Sequence, residues 1–153
     1  MEKILVSACL MGEKVRYDAG DCLIDDPVIQ KWQAEGRLVP LCPEMAGGLP
    51  APRPPAERDL KTGRILDKDG NDFTEPFEKG AEIALALVQE HQIKYALLKE
   101  RSPSCGVNII YDGSFTSVKI PGSGLTASLL KENGLLVFSE FDLDGLKSAL
   151  DMI

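Results

Sequence analysis

The chain has 153 residues, of which 44% are apolar, and it carries a net charge of −7 at neutral pH. This length and apolar content predict a single domain, residues 1–153, with a proper core. The acidic balance argues against a duplex nucleic acid or another polyanion as partner, because clustered basic side chains bind such partners. A small nucleobase stays open as a ligand.

The distribution of apolar residues predicts the compartment. No apolar run reaches the roughly 18 residues that a membrane span needs. The first residues lack the charged region, the long apolar region and the cleavage site of a signal peptide. We therefore expect a cytoplasmic protein, in which the four cysteines serve as metal ligands, catalysts or core residues more readily than as disulfides.

Short apolar runs alternate with helical patterns along the chain. The runs predict strands at 3–8, 38–41, 95–99 and 135–138. Helical patterns follow at 27–36, 74–91, 125–131 and 141–152. This alternation predicts a parallel sheet with right-handed crossovers. We expect a small three-layer, Rossmann-like α/β domain, with a β-hairpin insertion where 107–111 and 116–120 flank a glycine turn.

Local signals mark the helix starts and the loops. Asp26, Thr74 and Asp142 are the expected N-caps of three helices. The segment 44–55 is so rich in glycine and proline that we expect neither helix nor strand there. We interpret it as a loop shaped around a site rather than as a linker.

The segment 57–72 is polar and predicts an exposed hairpin with a short strand at 64–66. Its acidic end resembles a calcium loop only superficially, because the glycine comes one position early and the closing Glu is missing. We interpret Asp67 to Asp72 as the hairpin tip. His91, the only histidine, ends the longest predicted helix, where it complements the helix dipole rather than catalysing a reaction.

Three of the four cysteines follow predicted strands. Cys9 follows the first strand, Cys42 the second, and Cys105 lies in the loop after the third. Ligands bind at the carboxyl edge of open parallel sheets, and neighbouring strands lie only about 5 Å apart. If the three strands are neighbours, the three thiols can meet at one centre. Cys22 precedes a helix instead, and we interpret it as structural or incidental.

Three thiolates suit a soft metal centre. A four-iron cluster on three cysteines leaves one iron open as a Lewis acid. Zinc with three cysteines and a water is the main chemical alternative, and plain core cysteines are the structural one. Glu44 and Ser102 lie close to two of these cysteines in the sequence, where a carboxylate can relay protons and a hydroxyl can orient a substrate. The glycines at 122–124 open a helix whose free N–H groups suit an anion or a negatively charged cluster.

The segments around these cysteines resemble the signatures of a known family, the thiouracil desulfidases. The likeness covers nearly the whole chain. It rests on these motifs: Ser7-Ala8-Cys9-Leu10-Met11-Gly12, Val15-Arg16-Tyr17-Asp18, Cys42-Pro43-Glu44-Met45-Ala46-Gly47-Gly48-Leu49, Pro52-Arg53, Lys99-Glu100-Arg101-Ser102-Pro103-Ser104-Cys105-Gly106, Gly124-Leu125-Thr126-Ala127 and Ser139-Glu140.

The resemblance implies an oxygen-sensitive [4Fe-4S] cluster on Cys9, Cys42 and Cys105. It implies non-redox removal of sulfur from 2- or 4-thiouracil, with Glu44 and Ser102 as catalytic residues. The family pattern usually has no cysteine at position 22.

The expected partner is a small thiolated nucleobase, without duplex nucleic acid or membrane. We expect substrate contacts from Arg16, Tyr17, Arg53, Ser104 and Gly124. A non-enzymatic sensor or sulfur carrier that holds a cluster or zinc stays open as the alternative, and a zinc hydrolase is a third possibility.

Overall fold

A computed structural model describes residues 1–151 of the chain. Its strands are β1 (Ile4–Ser7), β2 (Leu38–Leu41), β3 (Ala56–Arg58), β4 (Ile65–Asp67), β5 (Tyr95–Leu98), β6 (Ile109–Tyr111), β7 (Lys119–Pro121) and β8 (Leu136–Ser139). Its helices are α1 (Pro27–Ala34), α2 (Pro43–Ala46), α3 (Thr74–Glu90), α4 (Leu125–Glu132) and α5 (Leu143–Asp151). Short 3-10 turns at Ala8–Met11 and Glu140–Asp142 follow β1 and β8. Within residues 1–151, no helix is long and apolar enough to cross a membrane.

Four strands form the central sheet in the order β2-β1-β5-β8, and each neighbouring pair is parallel. The register keeps the strand ends level, with Val6 of β1 opposite Pro40 of β2 and Leu97 of β5. The predicted parallel α/β fold is confirmed. Because β1, β2 and β5 are direct neighbours, the residues that follow them leave from one edge of the sheet.

Apolar side chains pack on both faces of this sheet. On one face, Ile4 and Val6 pack with residues of α1 and α5. On the other face, Leu5 and Ala96 pack with residues of α3 and α4. Successive residues of a strand point to opposite faces, so strands that are apolar throughout need helices on both sides. The three-layer architecture is therefore as predicted.

Two of the three predicted helix caps are confirmed. Asp26 accepts a hydrogen bond from the N–H of Val28 at 2.9 Å, where α1 begins. Asp142 accepts from the N–H of Gly145 at 3.1 Å, beside the start of α5. The predicted end of that last helix, Met152, lies outside the described residues.

The prediction for Thr74 is wrong. Thr74 is the first residue of α3, and its own N–H donates to Asp72 Oδ1 at 2.8 Å. Its hydroxyl oxygen accepts from the N–H of Ile65 at 2.8 Å. The hydroxyl therefore ties α3 to β4, and a carboxylate two residues earlier satisfies the helix start.

The structure also corrects two loop predictions. Residues 43–46 form the helical turn α2, although the composition of 44–55 predicts no helix. Pro43 is tolerated because the first residue of a helix needs no N–H.

The predicted hairpin at 57–72 exists as β3 paired with β4, but its tip is 59–64, and Asp67 to Asp72 form a separate turn after β4. Ile65 is fully buried, so the hairpin is not simply exposed. The predicted second hairpin is confirmed as β6 paired with β7.

Candidate active site at the carboxyl edge of the sheet

A cavity of about 520 Å³ opens where β1, β2 and β5 end. Cys9, Cys42 and Cys105 all line it, and each comes from a different loop. The 3-10 turn after β1 carries Cys9, Cys42 follows β2 directly, and the loop after β5 carries Cys105. The structure therefore brings the three thiols that the sequence singles out to one cavity.

Cys22 does not line this cavity. Its half-buried side chain packs against the apolar cluster between the sheet and the helices α1 and α5. Its backbone N–H nevertheless donates to the carbonyl oxygen of Cys9 at 2.8 Å. Cys22 thus lies closer to the carboxyl edge than its position before a helix predicts.

Side chain to backbone hydrogen bonds shape the loop of Cys105. Ser102 Oγ accepts from the N–H groups of Ser104 at 3.1 Å and Cys105 at 3.0 Å. The buried Glu100 carboxylate accepts from three successive backbone N–H groups, at 2.7–3.0 Å. Such local bonds replace strand or helix pairing. They hold the thiol of Cys105 in a fixed loop rather than a mobile one.

Helix α4 supports the same loop from behind. The N–H groups of Leu125 and Thr126 donate to the carbonyl oxygens of Pro103 and Ser104 at 3.0 and 2.9 Å. A Cβ atom at Gly124 would lie 2.5 Å from the Ser104 oxygen, so only glycine allows this close approach. Gly124 is not a cavity residue. The first N–H groups of α4, which the sequence offers to an anion or a cluster, thus already donate to carbonyl oxygens of the Cys105 loop.

All three thiols have raised pKa values. Burial raises the pKa of Cys9 to about 12 and that of Cys105 to about 12, and burial is also the largest cause of the raised pKa of Cys42. Burial has this effect because it disfavours the thiolate. A bound metal reverses it, since coordination deprotonates a thiol.

Four polar side chains beside these thiols form what we call the cavity cluster: Glu44, Arg53, Ser102 and Ser104. Glu44 Oε1 accepts from Arg53 Nε at 3.1 Å. Its other oxygen, Oε2, accepts from Ser104 Oγ at 2.8 Å and lies 3.4 Å from Ser102 Oγ. The two hydroxyl oxygens are themselves 2.9 Å apart. The Arg53 side chain is 5% exposed and that of Glu44 is 15% exposed, so this ion pair is well shielded from solvent.

The cavity cluster also reaches the thiols. Ser104 Oγ lies 3.7 Å from Cys105 Sγ, and Arg53 Nη2 lies 4.0 Å from Cys42 Sγ. Donors of this kind around sulfur ligands tune a metal centre. Glu44 is therefore linked to two of the three thiols through one hydrogen-bonded neighbour each.

Arg16 and Tyr17, on the loop after β1, line the cavity as well. The Arg16 guanidinium carbon lies 5.6 Å from the centre of the Tyr17 ring, within cation–π range. The Tyr17 carbonyl oxygen accepts from the N–H of Arg53 at 2.6 Å. Of the residues that we expect to contact substrate, four thus meet at this cavity, and Gly124 stands behind the wall.

Sequence reasoning missed several lining residues. Phe115 and Tyr111 of the β6–β7 hairpin line the cavity, together with Glu57 of β3. Glu57 Oε1 accepts from the N–H groups of Gly113 at 3.0 Å and Phe115 at 3.3 Å, which holds the hairpin tip against β3. Phe115 has a φ of +59°, which is unusual for a bulky residue. Nothing in the sequence of the β6–β7 hairpin indicates that it lines the cavity, because its placement depends on docking against the distant strand β3.

Arg101 and Lys99 were within reach of sequence reasoning, since both flank the cysteine loop. Lys99 lines the cavity, and its Nζ pairs with Glu140 Oε2 at 2.8 Å. Within the described chain, the buried Nε of Arg101 has no hydrogen-bond partner. Its guanidinium lies 5.6 Å from the Phe141 ring centre. His91 does not line the cavity.

The donor set indicates which metal group this edge can accept. The three thiols line one shared cavity of about 520 Å³. Cysteine thiolates are the ligands that hold iron–sulfur clusters, which are larger than one ion. The residues present therefore fit a cluster.

Comparison with known proteins places the chain in a family. The sequence model of the family described as 2-thiouracil desulfurase matches residues 4–142. The chain belongs to the 2-thiouracil desulfurase family. The resemblance seen in the sequence motifs is thereby confirmed.

Two relatives extend this result. The uncharacterized protein YbbK of Bacillus subtilis (strain 168) is 41% identical to this chain, and the match covers 94% of this chain and 99% of YbbK. A solved structure named as the [4Fe-4S]-dependent thiouracil desulfidase TudS (DUF523Vcz) is 48% identical. It covers all of both chains with a TM-score of 0.97. The predicted fold is confirmed over the full length of this match.

Proposed function

We propose that this protein is a [4Fe-4S]-dependent thiouracil desulfidase, which replaces the sulfur of 2- or 4-thiouracil by oxygen and releases sulfide. One observation carries the proposal: a desulfurase-family chain presents three cysteine thiols and a hydrogen-bonded carboxylate to a single cavity. The similarity to the TudS structure along the whole chain supports the same activity.

Cys9, Cys42 and Cys105 would hold the cluster. Bound through these three thiolates, the cluster would supply Lewis-acid chemistry toward the thiocarbonyl sulfur. The Arg53 guanidinium near Cys42 would donate to that ligand sulfur, whereas the single proton of the Ser104 hydroxyl is donated to Glu44.

Glu44 acts as the proton acceptor in this proposal. Its Oε1 is held by Arg53, which fixes the carboxylate and leaves Oε2 toward the serines. A water that attacks the ring carbon must lose protons, and a positioned carboxylate can take one. The leaving sulfur must gain protons, and the same group can return one. Pro43, which precedes Glu44 in α2, limits the backbone freedom of this base.

Ser102 and Ser104 take different parts. Ser102 Oγ accepts two backbone N–H groups, so its single proton is directed at Ser104 Oγ or at Glu44. Ser104 Oγ is the closer hydroxyl to Glu44, at 2.8 Å. Ser104 therefore lies on the proton path from Ser102 to Glu44. Through this path Ser102 takes the catalytic role that the family resemblance implies.

The remaining cavity wall suits a flat, uncharged pyrimidine. Tyr17, Tyr111 and Phe115 supply aromatic surface, on which a nucleobase can stack. Arg16 supplies N–H donors for a ring carbonyl oxygen. Arg53 is paired with Glu44, so its guanidinium orients this catalytic carboxylate rather than the substrate.

A direct assay tests the activity. Protein loaded with cluster under anaerobic conditions is mixed with 2- or 4-thiouracil, without an electron donor, and both products are quantified. Uracil and sulfide should appear in equal amounts over many turnovers, because the reaction is a hydrolysis. Loaded protein that turns over neither thiolated base would overturn the proposal and favour a sensor or sulfur carrier.

A further inference from the structure

Cys22 is the one cysteine without a part in the proposed function, yet the fold holds it beside Cys9. The N–H of Cys22 donates to the carbonyl oxygen of Cys9 at 2.8 Å, and the N–H of Ile24 donates to that of Leu10 at 3.0 Å. These two bonds bind the segment 22–24 along the turn that carries Cys9. The pairing depends on the fold of the intervening loop, so the sequence alone does not reveal it.

The first of these hydrogen bonds limits how far apart the two Cα atoms can be. An N–Cα bond is about 1.46 Å long, and a carbonyl oxygen lies about 2.4 Å from its own Cα. With an N···O distance of 2.8 Å, the Cα atoms of Cys9 and Cys22 are at most about 6.7 Å apart. Disulfides join Cα atoms roughly 4.4–6.8 Å apart. The backbone separation therefore already permits a disulfide bond.

The surroundings single out this pair among the four cysteines. Cys9 belongs to the apolar cluster under α1 and α5, and Cys22 packs against the same cluster. Cys42 Sγ is instead directed to the carbonyl oxygen of Val15, at 3.7 Å.

We propose that Cys9 and Cys22 form a thiol–disulfide exchange site for small disulfides, and that the oxidised pair cannot accept a cluster. The thiolate of the more exposed Cys22 attacks one sulfur of the small disulfide, breaks its S–S bond and releases the first small thiol. Cys9 then attacks the mixed disulfide at the Cys22 sulfur and releases the second. Two electrons and two protons pass from the protein thiols to the small molecule, which leaves as two thiols.

This site makes cluster loading and oxidation mutually exclusive. A cluster bound to Cys9 occupies the sulfur that the disulfide needs, so loaded protein resists exchange. Oxidised protein keeps only Cys42 and Cys105 as free ligands at the cavity. The formation of the disulfide is independent of the proposed function, whereas its effect on loading rests on Cys9 being a ligand. The disulfide also protects protein that has lost its cluster, because a disulfide can be reduced again whereas sulfinic and sulfonic acids generally cannot.

Peptide mapping tests the pairing. Cluster-free full-length protein is incubated anaerobically with glutathione disulfide, alkylated, digested with trypsin without reduction and analysed by mass spectrometry. Cleavage after lysine and arginine puts each cysteine in its own peptide, with Cys9 in 4–14 and Cys22 in 17–31. The expected product is 4–14 linked to 17–31, with Cys42 and Cys105 alkylated. Glutathione left on Cys22 alone, or Cys9 joined to Cys42, would overturn the proposal.

Iron uptake tests whether the Cys9–Cys22 disulfide blocks cluster loading, with Cys22→Ser as the matched control. Oxidised wild type should take up at least about tenfold less iron than reduced wild type, because a cluster needs more than two cysteines. Dithiothreitol should restore uptake, and oxidant should not impair the control variant. A cross-linked wild type that loads fully would remove Cys9 from the ligand set. It would leave the exchange site standing but contradict its effect on the cluster.

Discussion

Two groups of polar side chains in this molecule are built around carboxylates, but their hydrogen-bond partners differ in kind. In the cavity cluster, Glu44 is held by the guanidinium and hydroxyl groups of other side chains. In the turn after β4, Asp67 is held by the backbone N–H groups of Asp69 and Asn71 at 3.0 and 2.8 Å, and by the Asn71 side chain. We call the residues of this second group the turn cluster: Arg64, Asp67, Asn71, Asp72 and Thr74.

The difference shows why one cluster suits catalysis and the other suits folding. A carboxylate that accepts hydrogen bonds from backbone N–H groups, as Asp67 does, stabilises the shape of a turn. Hydroxyl partners can donate, accept and pass a proton, and those of Glu44 face a cavity lined by thiols. Several acidic residues close together in a sequence therefore say less about function than the type of group that each one binds.

The largest expected effect concerns the three thiols. Changing Cys9, Cys42 or Cys105 to Ser should each abolish cluster loading, because a three-ligand site has none to spare. Iron and sulfide content after anaerobic reconstitution measures this, and Cys22→Ser should load like wild type. A requirement for Cys22 would instead indicate a fully ligated cluster, which fits electron transfer better than catalysis at an open iron.

The next effect separates the two carboxylates. Glu44→Gln keeps the shape of the side chain but removes its capacity to accept a proton, so turnover per bound cluster should fall by roughly 10²–10⁴-fold. Asp67→Asn is the control and should leave turnover per cluster unchanged. Uracil and sulfide release, divided by iron content, measures both. Equal turnover for Glu44→Gln and wild type would remove Glu44 from the mechanism.

A smaller effect is expected where α2, which carries Glu44, packs on α3. A Cβ atom at Gly80 would lie 1.9 Å from the carbonyl oxygen of Pro43, a backbone atom that cannot rotate away. Gly80→Ala should therefore lower the free energy of unfolding by about 1–3 kcal/mol, the usual cost of overpacking. Denaturant unfolding checks this, with Glu82→Ala on the exposed side of α3 as control. A neutral result would show that α2 moves freely on α3.

The smallest effect concerns pH and the turn cluster. Hydrogen bonds from Arg64 and then Thr74 lower the pKa of Asp72 from 3.8 to about 2. A carboxylate with a lowered pKa stabilises the fold above its ordinary pKa, and this contribution is lost as pH falls through the folded value. Wild type should therefore be more stable than Asp72→Asn above about pH 4, with the difference shrinking toward pH 2. A constant difference across this range would contradict the assignment.

The sequence predicts the sheet because its signals are local. Each of β1, β2, β5 and β8 is an apolar run with a helical pattern after it, and strands of this type pair in parallel. The thiols could be placed at one edge for the same reason, since Cys9, Cys42 and Cys105 each follow a strand. The family assignment was equally accessible, because its motifs surround these cysteines.

Features that depend on docking between distant segments were not predictable. Thr74 is of a residue type that often caps helices, but its hydroxyl oxygen accepts a hydrogen bond from the N–H of Ile65 in β4. Phe115 reaches the cavity only because Glu57 holds the hairpin tip. The contact between Cys22 and Cys9 likewise depends on how the loop after β1 closes. The expected single domain of 1–153 and the cytoplasmic location stay predictions.

We propose that three thiols at the carboxyl edge of the sheet hold a catalytic cluster, and metal analysis of anaerobically reconstituted wild type tests this most directly. We expect about four irons and an equal amount of sulfide per chain, with a broad absorbance at about 400 nm. Stoichiometric zinc that resists replacement by iron, without inorganic sulfide, would contradict it.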